Sequence, residues 1–400
     1  MSRISRANAA LGALGVAAFV FGTAEFVIVG VLNLVARDLH VSVSTAGQLV
    51  MAYALGISIG GPIVTVATSR LDRRILLIAA LIVFILANVV MVVARDFGAP
   101  LLLARFIPGA MHGLFVGVAS IVAAQLAPPG QQGAAMSKVF GGVAVATVLG
   151  VPLGTFVAQL LGWRSAFVGI IALGVIALLG VYALIPASGR RDSGSISQQA
   201  RAAFAPRVLA MLGIGMILMG GQFTAFTYMA PYLSEVTGVS GKMISAFLLA
   251  YGAASAVGMF VGGGLADRNA TRTLIVANVL LIITLGALYL FGSIPAFTAV
   301  ALGAWGLVGF GLIPALQLRV VGLAGSGADL AATLSASAVN AGIAAGSLIG
   351  GWVLARYGAD SVVLLAAALC AVVLPATVAT RYLQLPRPVH GCGASRLIPQ

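Results

Sequence analysis

Residues Phe21–Gly30 read Phe-Gly-Thr-Ala-Glu-Phe-Val-Ile-Val-Gly, and Glu25 is the one charge in an otherwise charge-free interval from 7 to 36. A helix that crosses a bilayer needs about 20 consecutive apolar residues, which this interval supplies. An ionisable group at membrane depth costs roughly 2.5–3.5 kcal/mol on insertion scales. A carboxyl there needs a partner, a proton or a function, so the first question is whether the rest of the chain is built like this interval.

It is. The 400 residues are 61% hydrophobic and 8% charged, with a mean hydropathy of +1.12, whereas soluble domains carry about 25% charged residues. Gly and Pro recur inside the apolar runs, which helices in lipid tolerate. The net charge of +13 is spread in ones, twos and threes between apolar runs. That is the pattern of topology-setting loops and not of a phosphate-binding face, so no nucleic-acid partner is expected. The two cysteines, Cys370 and Cys392, form no CxxC pair or Cys/His cluster, so neither a metal, a cofactor nor a disulfide framework is implied. The basic start Met-Ser-Arg-Ile-Ser-Arg runs into the apolar interval without a convincing cleavage site and reads as an uncleaved first span.

The charge-poor intervals are 7–36, 41–69, 75–94, 97–137 (interrupted by Arg105), 139–163, 165–189, 208–234, 243–266, 273–318, 330–355 and 361–380. Interval 273–318 holds two helices with a break at Ser293-Ile294-Pro295, so twelve spans are expected. No segment alternates with period two, which excludes a membrane barrel. With the N terminus inside, sixteen of the 22 Lys and Arg fall on the inner side, five on the outer side, and Arg105 within a span. This bias places both termini in the cytoplasm of a multi-pass inner-membrane protein. The long polar stretch, 187–206, reads as a flexible cytoplasmic linker. It divides the chain into a six-helix half, 1–186, and a second, 207–382, followed by a cytoplasmic tail, 383–400.

The halves repeat. An offset of 198 pairs Tyr53 with Tyr251, Gly60 with Gly258, Arg70 with Arg268 and Arg74 with Arg272; an offset of 196 pairs Gly150 with Gly346 and Gly154 with Gly350. Repeats in transporters place the substrate site between the halves near the midplane. The loop after the eighth span holds Asp267, Arg268 and Arg272, either as a charged latch or as ordinary inside-positive charge.

At this loop the sequence resembles the major facilitator superfamily, whose signature loop looks like Gly-Gly-Leu-Ala-Asp267-Arg268 followed by Arg272. The first copy is degenerate: Ser69 stands where the acid would be, beside Arg70, with Asp72 and Arg74 further on. Arg105 followed by small residues is similar to the family's fourth-span motif, linked to proton coupling. Gly142, Gly150, Pro152 and Gly154 are similar to the fifth-span antiporter motif, with generic tight packing as the plainer reading. Gly22-Thr-Ala-Glu25-Phe, Val41-Ser-Val-Ser-Thr-Ala-Gly-Gln, His112-Gly-Leu-Phe-Val-Gly and Gly162-Trp-Arg look like the AraJ-like group of twelve-span drug:proton antiporters. The resemblance implies an all-α fold of two pseudo-symmetric six-helix bundles and efflux by alternating access. It further implies multidrug or antibiotic resistance, with chloramphenicol-like compounds or, alternatively, sugars and other metabolites as substrates.

Of nine acidic residues, Glu25 alone lies at membrane depth. If the first span ends near Gly30 or Val31, Glu25 is roughly 8–9 Å below its outer end, and Arg105 is about 9 Å below the start of the fourth span. The two are therefore expected as an ion pair or a water-linked pair whose rearrangement releases and captures a proton, with Glu25 as the proton-handling group that binds protons, substrate or both in turn. His112 is either a proton relay or substrate ligand, or a neutral, hydrogen-bonded structural residue. Asn33, Tyr53, Gln222, Tyr228 and Asn340 are candidate substrate contacts, with helix–helix hydrogen bonding as the competing reading. The expected protein is a monomeric transporter, not an enzyme, whose partners are protons, a small molecule and the lipid bilayer.

Overall fold

The computed structural model describes residues 3–68, 71–128, 132–186 and 201–383. Arg70, most of the expected linker and the tail beyond Leu383 lie outside the described residues. All regular structure among those described is helical. Among the described residues, eleven helices are long and apolar enough to cross a membrane. One of them, Lys242–Phe291, is two spans joined at Asn269, whose backbone leaves the helical region (φ −161°, ψ 91°). Twelve spans result. The break before Pro295 stands as expected, since one helix ends at Phe291 and the next begins at Pro295.

Boundaries differ from the charge intervals where a helix carries charge past the lipid. The first span runs from Arg3 to Asp38, a turn or two beyond Gly30. The fourth covers Ala99–Leu126, and the fifth begins at Gln132, so Lys138 sits on a helix and not in a loop. The seventh breaks at Thr227–Tyr228 between Pro206–Phe226 and Met229–Glu235.

Two spans share a device that hydrophobicity does not reveal. In the second, Gly56–Gly60 is π-helical and Pro62 follows; in the fifth, Ala146–Gly150 is π-helical and Pro152 follows. A proline has no N–H for the carbonyl four residues back. The backbone widens by one residue there, so that Gly61 N–H reaches Gly56 O and Val151 N–H reaches Ala146 O.

The repeat is physical. A Cβ on Gly109 would sit 2.2 Å from Tyr53 O, and one on Gly306 2.4 Å from Tyr251 O. A Cβ on Gly150 would meet Thr23 at 2.0 Å, and one on Gly346 would meet Gly220 O at 2.1 Å. The starts of the third and ninth spans are capped alike. Asp72 Oδ1 accepts from Arg74 N (2.8 Å) and Ile75 N (3.4 Å), and Asn269 Oδ1 accepts from Arg272 N at 2.9 Å.

The halves meet at the end of the bundle away from the N terminus. There Asn33 Nδ2 donates to Ser234 Oγ at 3.2 Å and Lys242 Nζ lies 5.8 Å from the Phe156 ring centre; deeper in the bundle, Ser58 Oγ donates to Ser337 O at 2.7 Å. Gly47 and Gly351 both face the Tyr228 hydroxyl, bringing the second and eleventh spans against the seventh. At the other end, Gly61–Ala67 and Gln132–Val145 pack chiefly against helices of their own half. Among the described residues, the contacts between the halves run from the end away from the N terminus to mid-bundle.

Candidate functional site

The site is assembled where the first, second and fourth spans cross. Glycine lets the second and fourth approach backbone to backbone: a Cβ on Gly56 would lie 2.1 Å from Phe106 O. This approach sets Tyr53 beside His112. The fifth span presses on the first through Gly142, Gly150 and Gly154, whose Cβ positions would strike Gly15 O, Thr23 and Val27 at 2.1, 2.0 and 2.6 Å. The small-residue stripe therefore seats the helix that carries Glu25.

Glu25 lies thirteen residues before Asp38 and His112 thirteen after Ala99, each about 20 Å from that end of its helix. Glu25 is deeper than expected because the first helix runs on past Gly30, and it is level with His112. Glu25 Oε2 is 3.3 Å from His112 Nδ1, with the two side chains 12% and 7% exposed. The Tyr53 hydroxyl donates to Phe21 O (3.1 Å) and lies 3.4 Å from the same Nδ1. Its proton is committed, so it offers Nδ1 a lone pair. Nδ1 thus faces two oxygens, and bare lone pairs at 3.3 Å would repel; either Nδ1 carries a proton or the Glu25 carboxyl donates one. The contact holds a proton in either case. Phe21 stacks on the imidazole at 5.3 Å between centres, closing the apolar side.

The direct Glu25–Arg105 ion pair is not formed. Arg105, fully buried, spends its donors on main-chain carbonyls: Nε to Leu49 O (3.2 Å), Nη1 to Ala24 O (2.7 Å) and Nη2 to Glu25 O (3.1 Å). Its guanidinium carbon stands 4.3 Å over the Tyr53 ring. The side chain reaches down from a higher turn of the fourth helix and clamps the backbone that presents Glu25. Charge and depth suggested a partner; only geometry separates the carbonyl from the carboxylate of the same residue.

The equivalent place in the second half is uncharged. At an offset of 197, Gln222 corresponds to Glu25, Leu302 to Arg105 and Gly309 to His112. Gln222 Oε1 accepts from Trp305 Nε1 at 3.2 Å, and a Cβ on Gly309 would meet it at 2.2 Å. Phe223, Phe226, Tyr251 and Trp305 form an aromatic cluster there, and Phe26 reaches Phe223 across the halves at 6.1 Å. Tyr228 donates to Ser347 O at 2.7 Å and fills the seam. Asn33 and Asn340 each keep a buried Oδ1 without a partner.

The loop residues act separately. Asp72 is a helix cap, and Arg74 donates to Tyr182 O at 2.6 Å. Asp267 makes no ion pair with Arg268 or Arg272 among the described residues, so the latch is not closed here. A staple at the end away from the N terminus escaped the sequence reading: Asp38 accepts from Trp163 Nε1 at 3.1 Å and pairs with Arg164, which also donates to Ala94 O at 2.7 Å. Gly162, at φ +87°, makes the turn that delivers both.

Residues 14–328 match the model of the Major Facilitator Superfamily. The chain belongs to that superfamily. It is 40% identical over 347 residues to YtbD of Bacillus subtilis, an uncharacterised transporter of this type, covering 86% of this chain and 87% of that one. It is 33% identical to the inner membrane transport protein YdhP of Escherichia coli K12, covering 87% and 89%. Among solved structures, a bacterial homologue of the human lysosomal transporter Spinster, inward-facing and unoccupied, superposes with a TM-score of 0.70 at 17% identity over 94% of each chain. That likeness concerns the fold. The chain is a multi-pass membrane transporter of this superfamily.

Proposed function

We propose that the chain is a proton-coupled efflux transporter of the AraJ-like type, an antiporter that expels small amphipathic drugs such as chloramphenicol-like compounds and so confers antibiotic or multidrug resistance. It works as a monomer in the bacterial inner membrane with both termini cytoplasmic, needs no cofactor and converts no substrate. The contact between Glu25 and His112, 3.3 Å apart at mid-membrane, carries this reading, because it stores a proton beside the surface where the halves part and meet. The aromatic wall from Phe26 to Trp305 suits a flat, apolar ligand. In the alternating-access cycle, the Asn33–Ser234 contact would break as the opposite end closes.

The test uses everted membrane vesicles with an imposed pH gradient and radiolabelled chloramphenicol. Wild type should accumulate the drug with the gradient and lose it on dissipation. Glu25→Gln should bind drug but not concentrate it. Full gradient-driven accumulation by Glu25→Gln would refute the coupling role.

A second reading, export of a sugar or other metabolite, is favoured by the unpartnered acceptors Asn33 Oδ1 and Asn340 Oδ1, which ligand hydroxyls would satisfy. Competition by hexoses and pentoses against labelled drug separates the two.

A further inference from the structure

A groove of about 440 Å³ lies between the eighth, ninth and tenth spans, outside the seam between the halves. Its walls are apolar: Val261 and Leu265 from the eighth span, Val276 and Leu280 from the ninth, Leu307 and Val308 from the tenth. The first five of these are 39–49% exposed, so the groove is open along its length. Its floor is backbone, because Cβ atoms on Gly258 and Gly262 would each fall 2.0 Å from the carbonyls of Leu307 and Gly311.

Arg268 and Arg272 stand at its mouth, and neither guanidinium has a carboxylate within 4.0 Å among the described residues. A second cavity of about 360 Å³ adjoins through Asn269, Arg272 and Val276 and brings Arg381 to the same place. Asp267, the acid nearby, is exposed and lines neither cavity. The apolar channel therefore ends in three cations at the level where spans leave the hydrocarbon. Leu280 is eight residues below Arg272, a depth of about 12 Å.

We propose that this groove binds an anionic glycerophospholipid, its phosphate against Arg268 and Arg272 with Arg381 flanking, and one acyl chain along Leu265, Val276, Leu280 and Leu307. A free phosphate would leave the apolar channel empty. Basic pockets between membrane helices recognise anionic headgroups by the same charge logic.

The experiment titrates phosphatidylglycerol, and phosphatidylethanolamine of the same chains, into the full-length protein in detergent and counts bound lipids by native mass spectrometry. Wild type should retain phosphatidylglycerol preferentially. Arg268→Gln/Arg272→Gln should weaken that binding about 10-fold or more, given a contribution of order 1 kcal/mol per basic residue. Lys138→Gln/Arg201→Gln, which removes two exposed charges elsewhere, should leave it unchanged. Leu265→Trp keeps every charge, fills the groove and should weaken it as well, which covers the case of a double variant that does not fold. The proposal fails if the arginine variant binds like wild type, if the control pair loses as much, or if glycerol phosphate competes as well as the lipid.

Discussion

Arg105 shows what one residue can do in a lipid-embedded core. A buried guanidinium is tolerated when its donors are met, and here three main-chain carbonyls and the Tyr53 ring meet them. Lys offers three donors from a single point and cannot span carbonyls that a planar fork reaches. Arg105→Lys should therefore destabilise the protein by about 1–3 kcal/mol through carbonyls left unpaired, seen as a lower Tm in detergent with no gradient present. Equal melting of the variant and wild type would show that the clamp is unnecessary. His112 belongs to the proposed proton coupling. His112→Ala removes the group that shares a proton with Glu25 while leaving Arg105 in place, so gradient-driven accumulation should fall more than about 10-fold, the range of a lost positioned proton carrier. Tm should move far less than in Arg105→Lys. Composition made Glu25 and Arg105 conspicuous as the charges inside spans. It could not say that His112 is the carboxylate's neighbour, because residues 25 and 112 meet only once glycines bring three helices together.

Helices in this molecule are read easily for existence and poorly for shape. Eleven apolar intervals, one of them double, gave twelve spans, since lipid demands length and hydrophobicity. The π-helical turns before Pro62 and Pro152, the break at Tyr228 and the extension to Asp38 depend on hydrogen-bond bookkeeping and on charged ends projecting from the membrane, neither of which hydropathy records. The fifth-span glycines were legible as a motif, and their meaning is now spatial: Gly150 is the point where the fifth helix rests on Thr23, two residues from Glu25. Gly150→Ala places a Cβ 2.0 Å from Thr23 Oγ1 and should cost about 1–3 kcal/mol by overpacking. Gly141→Ala, on the same helix with nothing within 4 Å, should be neutral or stabilise by up to about 1 kcal/mol through helix propensity. Thermal melts of the pair, done side by side, test whether contact or flexibility explains the stripe. If both variants melt alike, the stripe is not a contact surface.

At the scale of the whole molecule, the two halves are copies in packing and unlike in chemistry. Tyr53 and Tyr251 oppose equivalent glycines, yet Glu25, Arg105 and His112 of one half face Gln222, Leu302 and Gly309 at the same places in the other. In the proposed cycle the two halves rock on each other, and the ionisable groups of one half bias that motion by their protonation. The seam that must open lies at the end marked by Asn33–Ser234, and its opening can be blocked. In a Cys370→Ala/Cys392→Ser background, Asn33→Cys/Ser234→Cys should be joined by a short thiol-reactive cross-linker cleavable by reductant. Cross-linked vesicles should lose gradient-driven accumulation in proportion to the cross-linked fraction seen on a gel and regain it on reduction. The single-cysteine variants, treated alike, should keep it. A fully cross-linked protein that still concentrates drug would mean that this seam stays shut throughout transport and that the substrate takes another path through the molecule.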